Sequence, residues 1–284
     1  MNLKNNYSII VIIVLVVIVI VVGHSVLSDA STITIAGSTS VAPIAQALAK
    51  AYVSNHPGVK ISVSGGDSGV GINSARSGSV DIGTSSRDLT SSEAQGLSQY
   101  VIGQDALSLI VNPSNPVNDL SLDQIADIYK GKITNWSQVG GNNSNIAPQT
   151  REAGSGTRAD FEKFINIRSY GTNVQVDTFN YGLLQSVVVV PGAIGYIAHD
   201  YVIKEVKVLS VNNISPTQQT VQNGNYPLTR NLIFLTKGIP TGNVKDFINF
   251  CQSHEGQDIV NNTEWDNSNN TVYNPTSGIG PSGG

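Results

Sequence analysis

The chain has 284 residues, 40% of them hydrophobic and only 13% charged, with a formal net charge of −4. That length supports one large domain or two lobes. The sparse, slightly acidic charge excludes a nucleic-acid surface, which needs clustered Lys and Arg, so any site for an anion has to rely on local donors.

Residues 1–30 read as an export segment. The run from Ile9 to Val22 is wholly aliphatic, with Lys4 before it and Gly23-His24-Ser25 after it. It is shorter than the ~20 residues of a membrane span and fits a signal-peptide core, with Ser28-Asp29-Ala30 as a small-residue cleavage site. The alternative is an uncleaved anchor. Either way the remainder is expected outside the cytoplasm, secreted or held at the outer face of the cytoplasmic membrane by residues 9–22.

From there strand-like and helix-like patterns alternate. Strands are expected near 32–36, 59–63, 80–84, 107–111, 146–150, 174–176, 187–190, 194–197 and 231–235, and helices over 41–54, 69–77, 91–96, 121–130, 157–168, 180–187, 198–203 and 243–253. Such alternation, with Gly-rich turns at helix starts, indicates an α/β protein with mostly parallel sheets flanked by helices. Two stretches look like crossings between lobes: Val111-Asn112-Pro113-Ser114-Asn115-Pro116 and Gly224-Asn225-Tyr226-Pro227-Leu228. They divide the chain into a lobe of 31–110 completed by 229–262, with a second lobe, 111–228, inserted between. Residues 263–284, rich in Asn, Ser, Gly and Pro, are expected to be a flexible tail.

Three turns carry the chemistry: Gly37-Ser38-Thr39-Ser40, Gly65-Gly66-Asp67-Ser68-Gly69 and Gly154-Ser155-Gly156-Thr157, each between a strand-like and a helix-like run. A helix N-terminus offers unpaired N–H groups and a partial positive charge, glycine admits close approach of the backbone, and hydroxyls add donors. One such turn is an ordinary helix cap. Three in one chain, with Arg151 just before the last, suggest a cradle for a small oxyanion, in which Arg151 donates bidentately and Ser155, Gly156 and Thr157 surround the remaining oxygens. A Walker phosphate loop is absent.

The other reactive residues read as structural. Cys251 sits in a helix-core pattern, His24, His56, His199 and His254 are scattered without metal-ligand spacing (His254 as a helix end), and Trp136 packs a loop. Asp81 reads as a strand-end residue that holds a turn. No metal, cofactor or catalytic group is expected.

Arg151-Glu152-Ala153-Gly154-Ser155-Gly156-Thr157-Arg158, Gly37-Ser38-Thr39-Ser40-Val41, Asp81-Ile82-Gly83-Thr84-Ser85-Ser86-Arg87 and Gly131-Lys132-Ile133-Thr134-Asn135-Trp136 occur in the order in which the phosphate-binding proteins of ABC phosphate transporters carry them. From about residue 32 to 262 the chain resembles that family, of the PstS kind. The resemblance implies a two-lobed type II periplasmic-binding fold whose inter-lobe cleft closes on inorganic phosphate, a monomer that delivers it to a membrane permease, and no enzymatic activity. It places phosphate against Ser38, Thr39 and Ser40, against Ser68 and Gly69, and against Arg151, Ser155, Gly156 and Thr157. Many relatives read Gly-x-Ser-Asp, with an aspartate that accepts the proton of phosphate and repels sulfate; here Ser86 stands in that slot and Arg87 follows. Ser86 can accept from a protonated oxygen or donate to a bare one, so sulfate, molybdate or tungstate remains an alternative guest. Arg87 is expected at the cleft edge as a second guanidinium, or else paired with a surface carboxylate such as Asp88 or Glu152. A phosphate-ester hydrolase would need a nucleophile and base that the sequence does not display.

Overall fold

The computed structural model describes residues 31–265; the aliphatic run 9–22 and the segment 266–284 lie outside them. In chain order the strands are β1 (Ser31–Ser38), β2 (Val59–Gly66), β3 (Ile82–Ser85), β4 (Leu97–Val111), β5 (Asp119–Leu120), β6 (Ala147–Arg151), β7 (Gln175–Asp177), β8 (Ala193–Ala198), β9 (Lys207–Val208), β10 (Ser210–Val211) and β11 (Thr229–Lys237). The α-helices are α1 (Ala42–Asn55), α2 (Ser68–Ser77), α3 (Leu122–Tyr129), α4 (Gly156–Phe164), α5 (Phe179–Val189), α6 (Gln218–Gln222), α7 (Gly242–Cys251) and α8 (His254–Trp265), with 3-10 turns at Trp136–Val139 and His199–Tyr201.

A large mixed sheet runs in the order β2-β1-β3-β11-β4-β8-β6-β7, with β9 also on β4. Strand β1 pairs in parallel with β2 and β3, and β6 pairs in parallel with β8 and β7. Between these groups, β11 is antiparallel to both β3 and β4, and β4 is antiparallel to β8. The fifteen-residue β4 joins the two parallel groups. Its residues up to Ala106 pair with β11 and those from Leu107 pair with β8.

Two main cores follow from this arrangement. One gathers Ile33, Ile35, Leu48, Ile102, Phe234, Phe247 and Cys251 around β1 and β11. The other gathers Leu107, Leu109, Trp136, Phe161, Tyr196 and Leu228 around β8. In the second, Phe161 stacks on Tyr196 at 3.8 Å between ring centres, and Trp136 donates Nε1–H to the Gly192 carbonyl at 3.0 Å. Asp81 ties down the first group, accepting from Thr34 N at 2.8 Å and Thr34 Oγ1 at 2.7 Å.

Several elements depart from the sequence reading, each because tertiary contact overrides local preference. Val187-Val188-Val189-Val190 is a β-branched run expected as a strand, yet α5 continues through Val189 because Leu183, Leu184 and Val187 share a helical face against β8. Residues 91–96 form turns rather than a helix, drawn together by the Glu93 carboxylate on Thr90 N (2.9 Å) and Arg87. The expected helix over 198–203 is the short 3-10 turn. Strand β4 begins ten residues before the expected 107. His254 opens α8 rather than ending a helix, and α8 runs to Trp265, so 263–265 are helical, with Glu264 buried, instead of the start of a tail.

Helix α2 lies on β3 with backbone against backbone at Gly71 and Gly83. A Cβ on Gly71 would overlap the Thr84 carbonyl oxygen, and one on Gly83 would overlap the Gly71 carbonyl oxygen. Gly71→Ala is therefore expected to destabilise the protein by about 1–3 kcal/mol, read by urea unfolding; an unchanged midpoint would show that α2 can retreat from β3 at no cost.

Candidate functional site

The three turns meet. Each follows a strand end and opens a helix: Ser38-Thr39-Ser40 between β1 and α1, Asp67 as N-cap of α2, and Ser155 as N-cap of α4. Asp67 accepts from Val70 N at 2.8 Å and Ser155 Oγ from Arg158 N at 3.2 Å, so both caps are satisfied locally. The hydroxyls that remain face one another. Ser38 Oγ donates to Ser86 Oγ at 3.0 Å, Ser68 Oγ lies 3.4 Å from Ser86 Oγ, and Ser40 Oγ lies 3.0 Å from Thr157 Oγ1. Ser86 N donates to Ser68 Oγ at 3.1 Å. All of these residues are buried. A Cβ on Gly156 would overlap Ser68 Oγ, so only glycine lets turn three reach turn two.

Two buried guanidiniums border this ring of hydroxyls. Arg151, at the end of β6, donates Nε–H and Nη2–H to the two oxygens of Glu152, each at 2.8 Å, and Nη1–H to Asn180 Oδ1 at 3.0 Å. Asn180 in turn donates Nδ2–H to Ser40 Oγ at 3.0 Å. Burial opposes ionisation of Glu152, but the Arg151 hydrogen bonds outweigh it and hold the carboxyl below its ordinary value. Asn180 is set in place by Phe179, which has φ +58° and donates its N–H to Glu152 Oε2 at 3.2 Å. A non-glycine residue in the left-handed region is strained and marks a position the surroundings over-determine.

The second guanidinium belongs to Arg230. It donates Nη1–H to Thr157 Oγ1 at 2.8 Å and to Ser86 Oγ at 3.4 Å. Its Nε donates to Asp105 Oδ2 at 2.7 Å and its Nη2 to the same oxygen. Chemically, the arrangement presents hydroxyls able to donate or accept, helix N-termini, and guanidiniums whose charge is already balanced by one carboxylate each.

The family model of the PBP superfamily domain matches residues 24–255. The phosphate-binding protein PstS of Bacillus subtilis is 31% identical over 236 residues, 81% of this chain and 78% of that one. The chain belongs to the PstS-like proteins of the PBP superfamily. Among solved structures of PstS-like proteins, a Clostridium perfringens protein crystallised with bound phosphate superposes with a TM-score of 0.80 at 37% identity, covering 82% of this chain and 98% of its own. An ABC-type phosphate transport receptor from Vibrio cholerae does so with 0.70 at 36% identity, covering 81% and 98%.

Of the residues expected at a PstS-like site, Ser38, Ser40, Ser68, Ser86, Arg151 and Thr157 are joined in the network just described, with Thr39, Ser155 and Gly156 beside them. Thr39 presents its carbonyl to Tyr201 Oη at 2.8 Å. Gly69 meets turn three through its backbone, donating to Gly154 O at 3.4 Å. Arg87 takes the second of its two expected roles, with a different partner: its guanidinium is bound bidentately to Glu93, at 2.9 and 2.7 Å, rather than to Asp88 or Glu152, and makes no hydrogen bond to the ring among the described residues. That pairing holds Glu93 at about 2, chiefly through the Arg87 hydrogen bond. The second guanidinium is instead Arg230, which the sequence reading missed together with Asp105 and Asn180. The signal was present: Arg230 and Asp105 are charges at the entrance of otherwise apolar strand runs, where an unpaired charge cannot be buried.

One further acid lies at the edge. Asp160, three residues after Thr157 on α4, is buried, and its Oδ2 has no hydrogen-bond partner among the described residues. It shares a cavity of about 190 Å³ with Gln104, Lys163 and Arg230. Burial pushes its carboxyl up to about 6 despite the opposing charges of Arg230 and Lys163. The folded value lies above the ordinary 3.8, so the native state holds the proton that the unfolded chain releases between about pH 4 and 6, and stability falls as pH rises through that window. Asp160→Asn is expected to stabilise the protein at pH 7 by about 1–3 kcal/mol and to remove that slope. Urea unfolding from pH 4 to 7 tests this; an unaltered slope would assign the pH dependence elsewhere.

Proposed function

We propose that this chain is an extracytoplasmic receptor that captures inorganic phosphate between two lobes, 31–110 with 229–262 and 111–228, and delivers it to the permease of an ABC transporter. The observation that carries the reading is the bonding of Ser40, from the turn after β1, to Thr157, at the start of α4, with Arg151 and Arg230 on either side. Two parts of the chain far apart in sequence meet here at groups suited to a tetrahedral oxyanion. Phosphate bound in the related Clostridium perfringens protein supports the same guest.

In this reading the oxyanion replaces the bonds the hydroxyls make with one another. The N-termini of α2 and α4 supply N–H groups, Ser38, Thr39, Ser40, Ser68, Ser155 and Thr157 donate to its oxygens, and Arg151 uses the N–H groups not engaged by Glu152 and Asn180. Hinge motion at the crossings between β4 and β11 opens and closes the lobes. The export segment, residues 1–30, places the receptor outside the cytoplasm, cleaved or tethered. Binding without turnover is the whole of the activity. Ser108 Oγ lies 2.8 Å from His199 Nδ1, but neither is hydrogen-bonded to a residue of the ring, which gives a hydrolase reading no foothold.

A second guest class has a specific observation behind it. Among the described residues Ser86 bonds to hydroxyls, through its own N–H to Ser68, and to the Arg230 guanidinium, with no carboxylate on it to repel a fully ionised anion. Sulfate is therefore expected to compete with phosphate, displacing it at an excess of about 1,000-fold or less, equivalent to a gap of ~4 kcal/mol; competition calorimetry checks this, and no displacement at that excess would restore strict selectivity.

Arg151→Ala is expected to weaken phosphate binding by about 2–5 kcal/mol, since it removes a buried charged donor. Arg87→Ala, at the Glu93 pair, should change it by less than ~1 kcal/mol. Calorimetric titration with phosphate decides both. Wild-type affinity in Arg151→Ala would remove phosphate from this ring.

A further inference from the structure

The three turns of the ring are not held alike. Asp67 caps α2 and Ser155 caps α4 through their own side chains, whereas α1 has Val41 at that position and makes no side-chain cap bond. The backbone of turn one is therefore fixed from elsewhere. Nearby, Thr39 N donates to the Gly66 carbonyl at 3.3 Å. A shorter bond comes from the far side of the chain. Tyr201, buried at the end of the 3-10 turn that follows β8, donates its Oη–H to the Thr39 carbonyl at 2.8 Å, across 162 positions of sequence.

That carbonyl and the Ser40 N–H belong to one peptide unit, which is trans. In a planar trans peptide the C=O and N–H point to opposite sides, so a bond that fixes one aims the other. The Ser40 N–H accordingly faces the ring. It donates to Ser38 Oγ at 3.2 Å, and Ser38 Oγ donates onward to Ser86 Oγ. A hydrogen bond accepted at the carbonyl also polarises the peptide and strengthens its N–H as a donor.

The 3-10 turn is itself firmly placed. His199 N donates to Asp105 Oδ1 at 3.1 Å, and Asp105 holds Arg230. Just before it, Ala198 N donates to Asn180 Oδ1 at 3.5 Å, and Asn180 Nδ2 donates to Ser40 Oγ at 3.0 Å. Residues of the segment 111–228 thus grip turn one twice, Tyr201 at the Thr39 carbonyl and Asn180 at the Ser40 hydroxyl.

Resting on the receptor reading above, we propose that Tyr201 is a positioning residue for anion binding, which aims the Ser40 N–H at the anion as the two lobes close. Thr39 lies in the lobe of 31–110 and Tyr201 in that of 111–228, so their bond forms on closing. An oxyanion that displaces Ser38 Oγ from the Ser40 N–H meets a donor already oriented. The same bond has to break before the cleft opens, so it slows release. Tyr201 acts through the Thr39–Ser40 peptide and not on the anion itself.

The test compares Tyr201→Phe with Tyr129→Phe in the whole chain. Tyr129 Oη makes a bond of the same kind, to the Gln149 carbonyl at 3.0 Å, but within the segment 111–228 and outside the three turns. Calorimetric titration with inorganic phosphate gives affinity and stoichiometry, and release into an excess of a fluorescent phosphate reporter gives the off-rate. Tyr201→Phe is expected to bind phosphate about three- to tenfold more weakly, the size of one hydrogen bond. Stoichiometry should be unchanged and the loss should lie in faster release. Tyr129→Phe should lower the urea midpoint yet leave affinity and release within about twofold of the wild type. Unchanged affinity in Tyr201→Phe would overturn the proposal. So would an equal loss in Tyr129→Phe, which would reduce the effect to general stability, or a loss carried by slower association. Should Tyr201→Phe not fold, replacing Tyr201 by 3-fluorotyrosine, a stronger donor of nearly the same shape, is expected to slow release, and an unchanged rate would overturn the proposal. Absence of phosphate binding in the wild type would instead fell the receptor reading, and this proposal with it.

Discussion

A guanidinium taken out of water must be met by a carboxylate and by acceptors for its remaining N–H groups, since a buried unpaired charge costs several kcal/mol. The centre of this protein is organised around two such groups, Arg151 and Arg230. Each is tied to one carboxylate, Glu152 and Asp105, and each extends an N–H beyond that pair toward polar groups of the anion ring. The strained Phe179, the burial of Asn180 and the approach of Gly156 to Ser68 all follow from holding these side chains in place.

The two pairs differ in what they join. Arg151 and Glu152 are neighbours in sequence, so their pair forms within one turn and needs only Asn180 to connect it to Ser40. Arg230 and Asp105 are register partners across β11 and β4, the two strands on which the chain passes between its cores. Their ion pair therefore sits at the crossing itself. Through Thr157 and Ser86 it touches both sides of the ring, and through Asp105 it meets the 3-10 turn. Tyr201, in that same turn, reaches back to the Thr39 carbonyl, so the network closes on turn one.

Much of the local structure was legible because its causes are local. The hydroxyl-rich turns announced the starts of α1, α2 and α4 to within a residue, and the apolar alternation of Ile33 and Ile35 announced β1. Where packing against a distant strand outweighs propensity, the reading failed. The valines of α5 prefer a strand by themselves but share a helical face against β8, and α8 carries too few apolar residues to stand out until β4 and the 3-10 turn cover it. In the three turns, composition singled out the hydroxyls and Arg151 that the structure brings together. It assigned Arg87 to the cleft edge because a nearby arginine looks the same whether it faces an anion or a carboxylate six residues further on.

The sequence by itself determined the oxyanion chemistry and the family, because turn glycines, cap hydroxyls and Arg151 are short-range features whose roles are set by backbone geometry. Which guanidinium joins Arg151 was decided only by the tertiary structure. Arg87 was lost to Glu93 on the surface, and Arg230 was gained through Asp105, 125 residues away. The first partner lies within one turn and the second across the sheet, and in both cases the guanidinium is taken by the carboxylate that the fold brings within about 3 Å of it.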